Sequence, residues 1–479
     1  MKRSANITLP LFWRRPGSTC LWLVLICLGQ GWSHVPLRAA DYKAGVARVV
    51  ITPERPIYLS GYANRTHPSD GVIHDLWAKA LAIEDPKGNR VVIVTTDLIG
   101  LPRSLSELIG ARVLKQYGLE RARLVLNSSH THTGPLLPNN LSIMFELKPE
   151  EQQVVEEYGQ KLVDRIVSVV GAALKDFSPA NISFGNGQAG FAMNRREPNP
   201  KGVRIGVNPA GPTDHDVPVM KVTGTDGKLR AVLFGYACHN TTLTGEFYKI
   251  SGDYAGFAQV AIEKANPGAS ALFMMLCGAD QNPNPRSKLE LAEQHGATLG
   301  AEVNRMLAES LGRVRGPIRA AFQIVELGFA PHTRETFESR LSETNLWRVR
   351  HAKAMLRTYD ERRPINRYPY PVQAVSFGKD LTLLALGGEV VVDYALRVKK
   401  EYGAKGIIVA GYSNDVMSYI PSLRVLKEGG YEADSSMIYY GQPGPYDGEV
   451  EERIFATIQQ VMKRVKRGPG ARGQGPGNR

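Results

Sequence analysis

RARLVLNSSHTHTGPLLPNN, residues 121–140, is an apolar run that ends in a polar loop carrying His130 and His132 two positions apart. The run 124–126 reads as a buried strand, and Gly134 with Pro135 turns the chain sharply after it. In an extended backbone, residues i and i+2 share a face, so both imidazoles are expected on one side of the strand end. That pairing suits a divalent metal with a neighbouring proton donor. Taken alone it also suits two hydrogen-bonded loop histidines, and the rest of the chain has to decide.

Working outward, short β-branched or apolar runs recur at 46–51, 77–83, 91–95, 219–222, 231–236, 271–275, 318–325, 374–377, 381–386 and 406–409. They read as strands. Amphipathic stretches at 151–174, 254–264, 288–311 and 450–465 have the three-and-four spacing of helices and lie between them. The interleaving predicts an α/β fold of mixed α+β layers. Residues 41–460 contain no Pro/Ser-rich linker and no fixed-period repeat, so a single large catalytic domain over 41–465 is the simpler reading of a 479-residue chain.

In layered folds the loops that leave strand ends carry the chemistry, and here several carry ligand-type residues. FGYACHNTTL places His239 beyond a strand, and FMMLCGADQNPNP places Asp280 beyond the next. LTLLALGGEVVVDY places Glu389 after a third and just before a helix, and VAGYSNDVMSYIPS brings Tyr412 and Tyr419 after a fourth. Each residue also has a structural reading. His239 suits a core histidine bonded to backbone, and Glu389 a carboxylate favoured by a helix dipole. Tyr419 and Tyr431 suit plain packing, Arg195 beside Arg196 a solvated loop pair, and Asp253 a helix N-cap that doubles as a partner for a liganding histidine. There is no GxSxG elbow, HExxH helix, Walker loop or CxxC pair, so the usual serine-hydrolase, zincin, nucleotide and redox readings lack an anchor.

The termini set the compartment. Residues 1–40 hold Lys2, Arg3, Arg14 and Arg15, then an apolar run at 20–29 and Ala39–Ala40. This is the pattern of a secretory signal peptide cleaved near Ala40, and its apolar run is short for a membrane span of about 20 residues. An exported protein, periplasmic or secreted, with no transmembrane anchor after processing is expected. Two of the four cysteines fall in that leader, leaving Cys238 and Cys277 either to pair or to sit as small buried hydrophobes. The formal charge of +13 is concentrated in the leader and from Lys463 onward, so the body is close to neutral and a nucleic-acid partner has no support. The Gly/Pro-rich stretch 466–479 is expected to be a disordered basic tail.

The chain resembles the neutral/alkaline non-lysosomal ceramidase family, zinc amidohydrolases that cleave the N-acyl amide of ceramide. The resemblance runs through AGVARVVITP, SGYA, SSHTHTGP, NRR, CHNTT, SGDYAG, GADQNPN and GGE to SYIPS and Tyr431. It implies one catalytic zinc held by His130, His239, Glu389 and Tyr419, with His132, Tyr431 and Arg195 as catalytic residues that polarise or hold the substrate. It further implies a lipid amide substrate met at a membrane surface, in sphingolipid metabolism. Two departures stand out. Asn282 replaces the family's serine in GADQNPN, and no C-terminal immunoglobulin-like domain is expected. They leave open hydrolysis of another amide or ester, and a non-catalytic lipid- or sugar-binding protein that keeps the metal site. The charged stretch 333–370 carries no family pattern and reads as a lid or an insertion.

Overall fold

In the computed structural model, residues 40–466 are described. The leader and tail expectations therefore lie outside the described residues, except at Ala40 and at Lys466, where the last helix, Val450–Lys466, reaches one residue into the presumed tail.

The strand Trp77–Glu84 shows how the sequence builds layers. Ala78, Ala80 and Ala82 point to one side and Leu81 and Ile83 to the other, and both sides are buried. Its neighbour Arg90–Thr96 splits likewise, Val92 and Val94 against Val91 and Ile93. Period-two alternation of apolar residues on both faces demands a cover on each side. On one face the helix Pro149–Lys175 supplies Leu162, Ile166 and Val170. On the other lies a second sheet.

The large sheet has nine strands, in the order Ser270–Met275, Leu229–Tyr236, Asp216–Gly224, Ser178–Gln188, Tyr42–Val50, Trp77–Glu84, Arg90–Thr96 and Leu124–Ser128, with Gly312–Val314 also paired to Ser178–Gln188. The small sheet orders Ile318–Gly328, Arg367–Phe377, Leu381–Leu386 and Ile407–Ala410. Leu233, Leu272 and Met274 of the first share a core with Val375, Leu383 and Ile408 of the second, so the sheets pack face to face. The helices Asp253–Ala265 and Leu289–Ala308 cover one end of the large sheet. Val392–Tyr402 and Val450–Lys466 cover the small one. Each fully buried Leu, Ile, Val or Phe in these cores stabilises the fold by roughly 1.5–3 kcal/mol. Among the described residues no helix is long and apolar enough to cross a membrane.

All ten expected strands and the run 124–126 form, with ends differing by up to seven residues, as at Arg367–Phe377. The strand Ser178–Gln188 was not expected, because SPANISFGNGQ is rich in Pro, Asn and Gly. Pairing along Asp216–Gly224 imposes its conformation over propensity. The helices Arg103–Tyr117 and Leu346–Asp360 were also not expected. The second occupies most of the charged stretch 333–370, which folds as an insertion with its own small core of Phe337, Ala352 and Met355.

The large sheet curls until its edge strands meet. Asn127 of one edge accepts a bond from the Met275 N–H (2.9 Å) through Oδ1, while its Nδ2 donates to the carbonyls of Met275 (3.2 Å) and Gly411 (2.9 Å). One amide thus stands in for a missing strand pairing and also grips the end of the small sheet. Asn127→Leu fills the same space without those bonds and leaves buried groups unpaired, so we expect a loss of about 3 kcal/mol, read as a lower urea midpoint at constant m-value.

Candidate metal centre and cavity

Strand ends from both sheets meet beyond this seam. The strand Leu124–Ser128 ends two residues before His130, whose backbone then takes φ 63°, in the left-handed region. The two imidazoles of the HTH motif meet, with Nε2 atoms 3.1 Å apart, but not through the extended geometry that the spacing suggested. Backbone strain at His130, held by its N–H to the Leu98 carbonyl (2.8 Å), aims the ring.

His239 leaves the strand Leu229–Tyr236. Glu389 and Tyr419 lie directly opposite each other in a short parallel pairing that follows the small sheet. Glu389 Oε2 is 3.0 Å from His130 Nε2 and 3.1 Å from His239 Nε2, and the Tyr419 hydroxyl is 3.2 Å from His239 Nε2. All four residues are buried. The helix-dipole reading of Glu389 fails, because the N-terminus of Val392–Tyr402 is held instead by Asp280, whose Oδ1 accepts from the Val392 N–H (2.8 Å). Burial first, and secondarily nearby Asp393, push the Asp280 carboxyl up to about 7 against that bond.

The protons decide what this cluster accepts. His130 Nδ1 lies 2.6 Å from the Ile99 carbonyl and His239 Nδ1 2.8 Å from the Gly278 carbonyl. A carbonyl only accepts, so each Nδ1 carries the proton and each Nε2 offers a lone pair. Burial, reinforced by Arg195, pushes His239 down to about 3 and keeps it neutral. Two lone pairs and a carboxylate oxygen therefore converge without protons between them. Their spacings approach the ~3.3 Å edge of a tetrahedron with ~2.0–2.1 Å bonds, so the donor set fits a small divalent cation. His130, His132 and His239 together form the metal-competent His group among the described residues. His132 differs from the other two, since its Nδ1 is buried without a partner and its ring lines a cavity. Gly61, at φ 91°, makes room for it, because a Cβ there would lie 2.3 Å from His132 Nδ1.

That cavity, about 240 Å³, is walled by His132, Tyr419, Tyr431 and Tyr439, by Met144 and Ile205, and by Tyr62, Thr241, Asn282 and Arg286. Arg195 also reaches it, but not as a solvated loop pair. It is buried and donates to the Tyr419 oxygen (3.0 Å), to Glu432 (2.8 Å) and to Asn282 Oδ1 (3.3 Å). Burial pushes the Tyr419 phenol well up, and Arg195 pulls against it. Tyr431 stacks edge-on against Tyr419 at 5.3 Å between ring centroids. Asn282 Oδ1 also accepts from Thr241 (3.2 Å), which fixes the amide's orientation and leaves its NH2 free of protein partners.

Tyr412, which the sequence places past a strand end, donates to Glu389. Other groups around the site had no signal in the sequence: Tyr440 also donates to Glu389, and Glu432 holds Arg195 and Arg196 together. Trp347 of the insertion donates to the Met144 carbonyl (3.2 Å) and packs against Tyr439, placing the 333–370 stretch at the cavity rim. The helix N-cap is Gly252 rather than Asp253, whose carboxylate instead accepts from the Leu243 N–H and anchors the loop after His239. Cys238 and Cys277 are free, buried thiols.

Residues 42–287 match the model of the neutral/alkaline non-lysosomal ceramidase family, N-terminal part, and the chain belongs to that family. The neutral ceramidase of Pseudomonas aeruginosa is 21% identical over 92% of this chain and 75% of its own length. The neutral ceramidase of Drosophila melanogaster is 25% identical over 52% of this chain, and the match spans only 37% of the fly protein. The crystal structure of the Pseudomonas aeruginosa enzyme superposes with a TM-score of 0.68 at 20% identity, covering 89% of this chain and 74% of that one, which establishes a shared fold.

Proposed function

We propose that this chain is an exported zinc-dependent amidohydrolase that cleaves the N-acyl amide bond of ceramide or a related N-acyl lipid. The convergence of His130, His239, Glu389 and Tyr419 beside a cavity, with both Nδ1 protons committed to carbonyls, is the observation that carries the reading. Zinc held by these four would supply Lewis acidity, polarising the carbonyl and making water acidic enough to attack near neutral pH. Their backbone anchors fix ring orientation, as ligand histidines require.

Around that point the chain positions the substrate. His132 faces the cavity and serves as a donor to the carbonyl oxygen as it gains charge, with Tyr431 beside it, a well-aimed donor being worth about 3 kcal/mol. Arg195 fixes the Tyr419 oxygen and stabilises negative charge on it. Asn282 brings an amide NH2 where the family carries a serine hydroxyl, so no nucleophile stands there and water attacks the acyl carbon directly. The C–N bond breaks, the amine leaves with a proton, and a fatty acid and free amine result. The leader at 1–40 supports export, 41–465 forms the catalytic domain, and the substrate is met at a membrane surface.

The test is turnover of fluorescent ceramide and other N-acyl amides, with metal analysis. One zinc per chain and loss of turnover on chelation, restored by zinc, are expected. Turnover that survives complete chelation would remove the metal mechanism. Zinc-replete protein inert toward every N-acyl amide would favour a binding role.

A further inference from the structure

We propose that, among the N-acyl lipids of that reading, Arg286 favours those whose amine half bears an acidic group, an N-acyl amino acid or N-acyl aminoalkanesulfonate, over neutral amides. The inference rests on the amidohydrolase reading above. Arg286 lines the same cavity as His132, Asn282 and Tyr419. Its Nη2 donates to the Tyr62 hydroxyl (3.0 Å), and its Nε is buried with no partner. Among the described residues no carboxylate lies within 4.0 Å of its guanidinium. The acid whose field reaches it, Asp253, has its oxygens on the N–H groups of Leu243 (2.9 Å) and Tyr254 (2.6 Å).

The other cavity arginine contrasts with it, since Arg195 is matched by Glu432. The carboxylate of Glu389, in turn, faces the imidazoles of His130 and His239 rather than Arg286. Arg286 is thus the cavity charge without a counter-charge. Behind Tyr62, Arg65 is also without a carboxylate, bonding to carbonyls of Ser60, His132 and Phe247 and lying 5.1 Å over the Tyr62 ring, which adds to the positive field. A partly desolvated guanidinium gains most from a carboxylate, sulfonate or phosphate that fits its planar fork.

Position narrows the class. The Tyr62 ring packs on His132 at 4.8 Å between centroids, so Arg286 is one side chain removed from the reacting carbonyl. That adjacency favours an anion one or two carbons from the amide nitrogen over one farther along the chain. Met144, Ile205 and Tyr439 leave an apolar wall for the acyl chain.

The experiment compares N-dodecanoylglycine with its neutral analogue N-dodecanoylglycinamide, on zinc-loaded wild type, Arg286→Gln and Arg286→Lys, with melting curves for each. Wild type should prefer the acid by at least about tenfold in kcat/KM, Arg286→Gln should bring the ratio near one, mainly through KM, and Arg286→Lys should fall between. Equal rates on both compounds by wild type, or an unchanged ratio in Arg286→Gln, overturns the inference. Should Arg286→Gln not fold, the wild-type ratio and the Lys variant decide. If no amide is turned over, the amidohydrolase reading fails instead, and calorimetric binding of the same two compounds still tests the preference: tighter binding of the acid that Arg286→Gln loses supports it, and equal affinity ends it.

Discussion

Glu389→Gln should abolish metal binding and lower turnover by roughly a thousandfold or more, the larger of the two strongest effects expected for this protein. Gln is nearly isosteric, so packing against Tyr412 and Tyr440 survives. What changes is charge. The carboxylate faces two Nε2 lone pairs at 3.0 and 3.1 Å, and a neutral amide can satisfy them by donating hydrogen bonds, which closes the space a cation needs. Zinc analysis of purified wild type and variant checks this independently of any substrate. Equal zinc in both would refute the ligand assignment.

The second large effect is on stability. Glu432 is 1% exposed and pairs at once with Arg195 (2.8 Å) and Arg196 (2.6 Å), both buried. Glu432→Ala leaves two guanidinium groups with too little counter-charge, and removing one partner of a buried pair typically costs about 3–5 kcal/mol. Arg196 keeps Glu428, but that residue is 35% exposed, so Glu428→Ala should cost under about 1 kcal/mol. The sign of the pH dependence follows. Burial raises the Glu432 carboxyl, but Arg195 and then Arg196 outweigh it and hold it below its ordinary value. The folded form therefore keeps the ionised group longer than the unfolded chain does. That stabilisation is complete above the unfolded value of about 4.3 and is lost as pH falls through the lower folded value. Urea midpoints of wild type and Glu432→Ala should converge below about pH 4. A constant gap from pH 3 to 8 would count against the ion pair as its source.

How far the sequence could be read varied with the kind of signal. Local periodicity exposed the sandwich strands, because alternating apolar residues such as those of Trp77–Glu84 have few other uses. It missed Leu346–Asp360, where only His351, Ala352 and Met355 are buried and charge dominates the face. It missed Ser178–Gln188 because a central position, not composition, makes that segment a strand. At the site, residues just past strand ends were legible, since such loops are where ligands are presented. The family pattern brought Arg195 to notice, but its bond to Tyr419 depends on a meeting across 224 positions that no local pattern encodes. Tyr440 reaches Glu389 from a turn with no periodicity, and Arg286 lacks a paired carboxylate only because of what the folded chain keeps away from it.

The seam closed by Asn127 has a kinetic corollary. The histidines sit on loops of the curled sheet, and the Glu389–Tyr419 pair joins them only when the second sheet has docked. No half of the polypeptide can preassemble the cluster, so ion capture should be among the latest events in maturation, acting as a clasp on a nearly finished body.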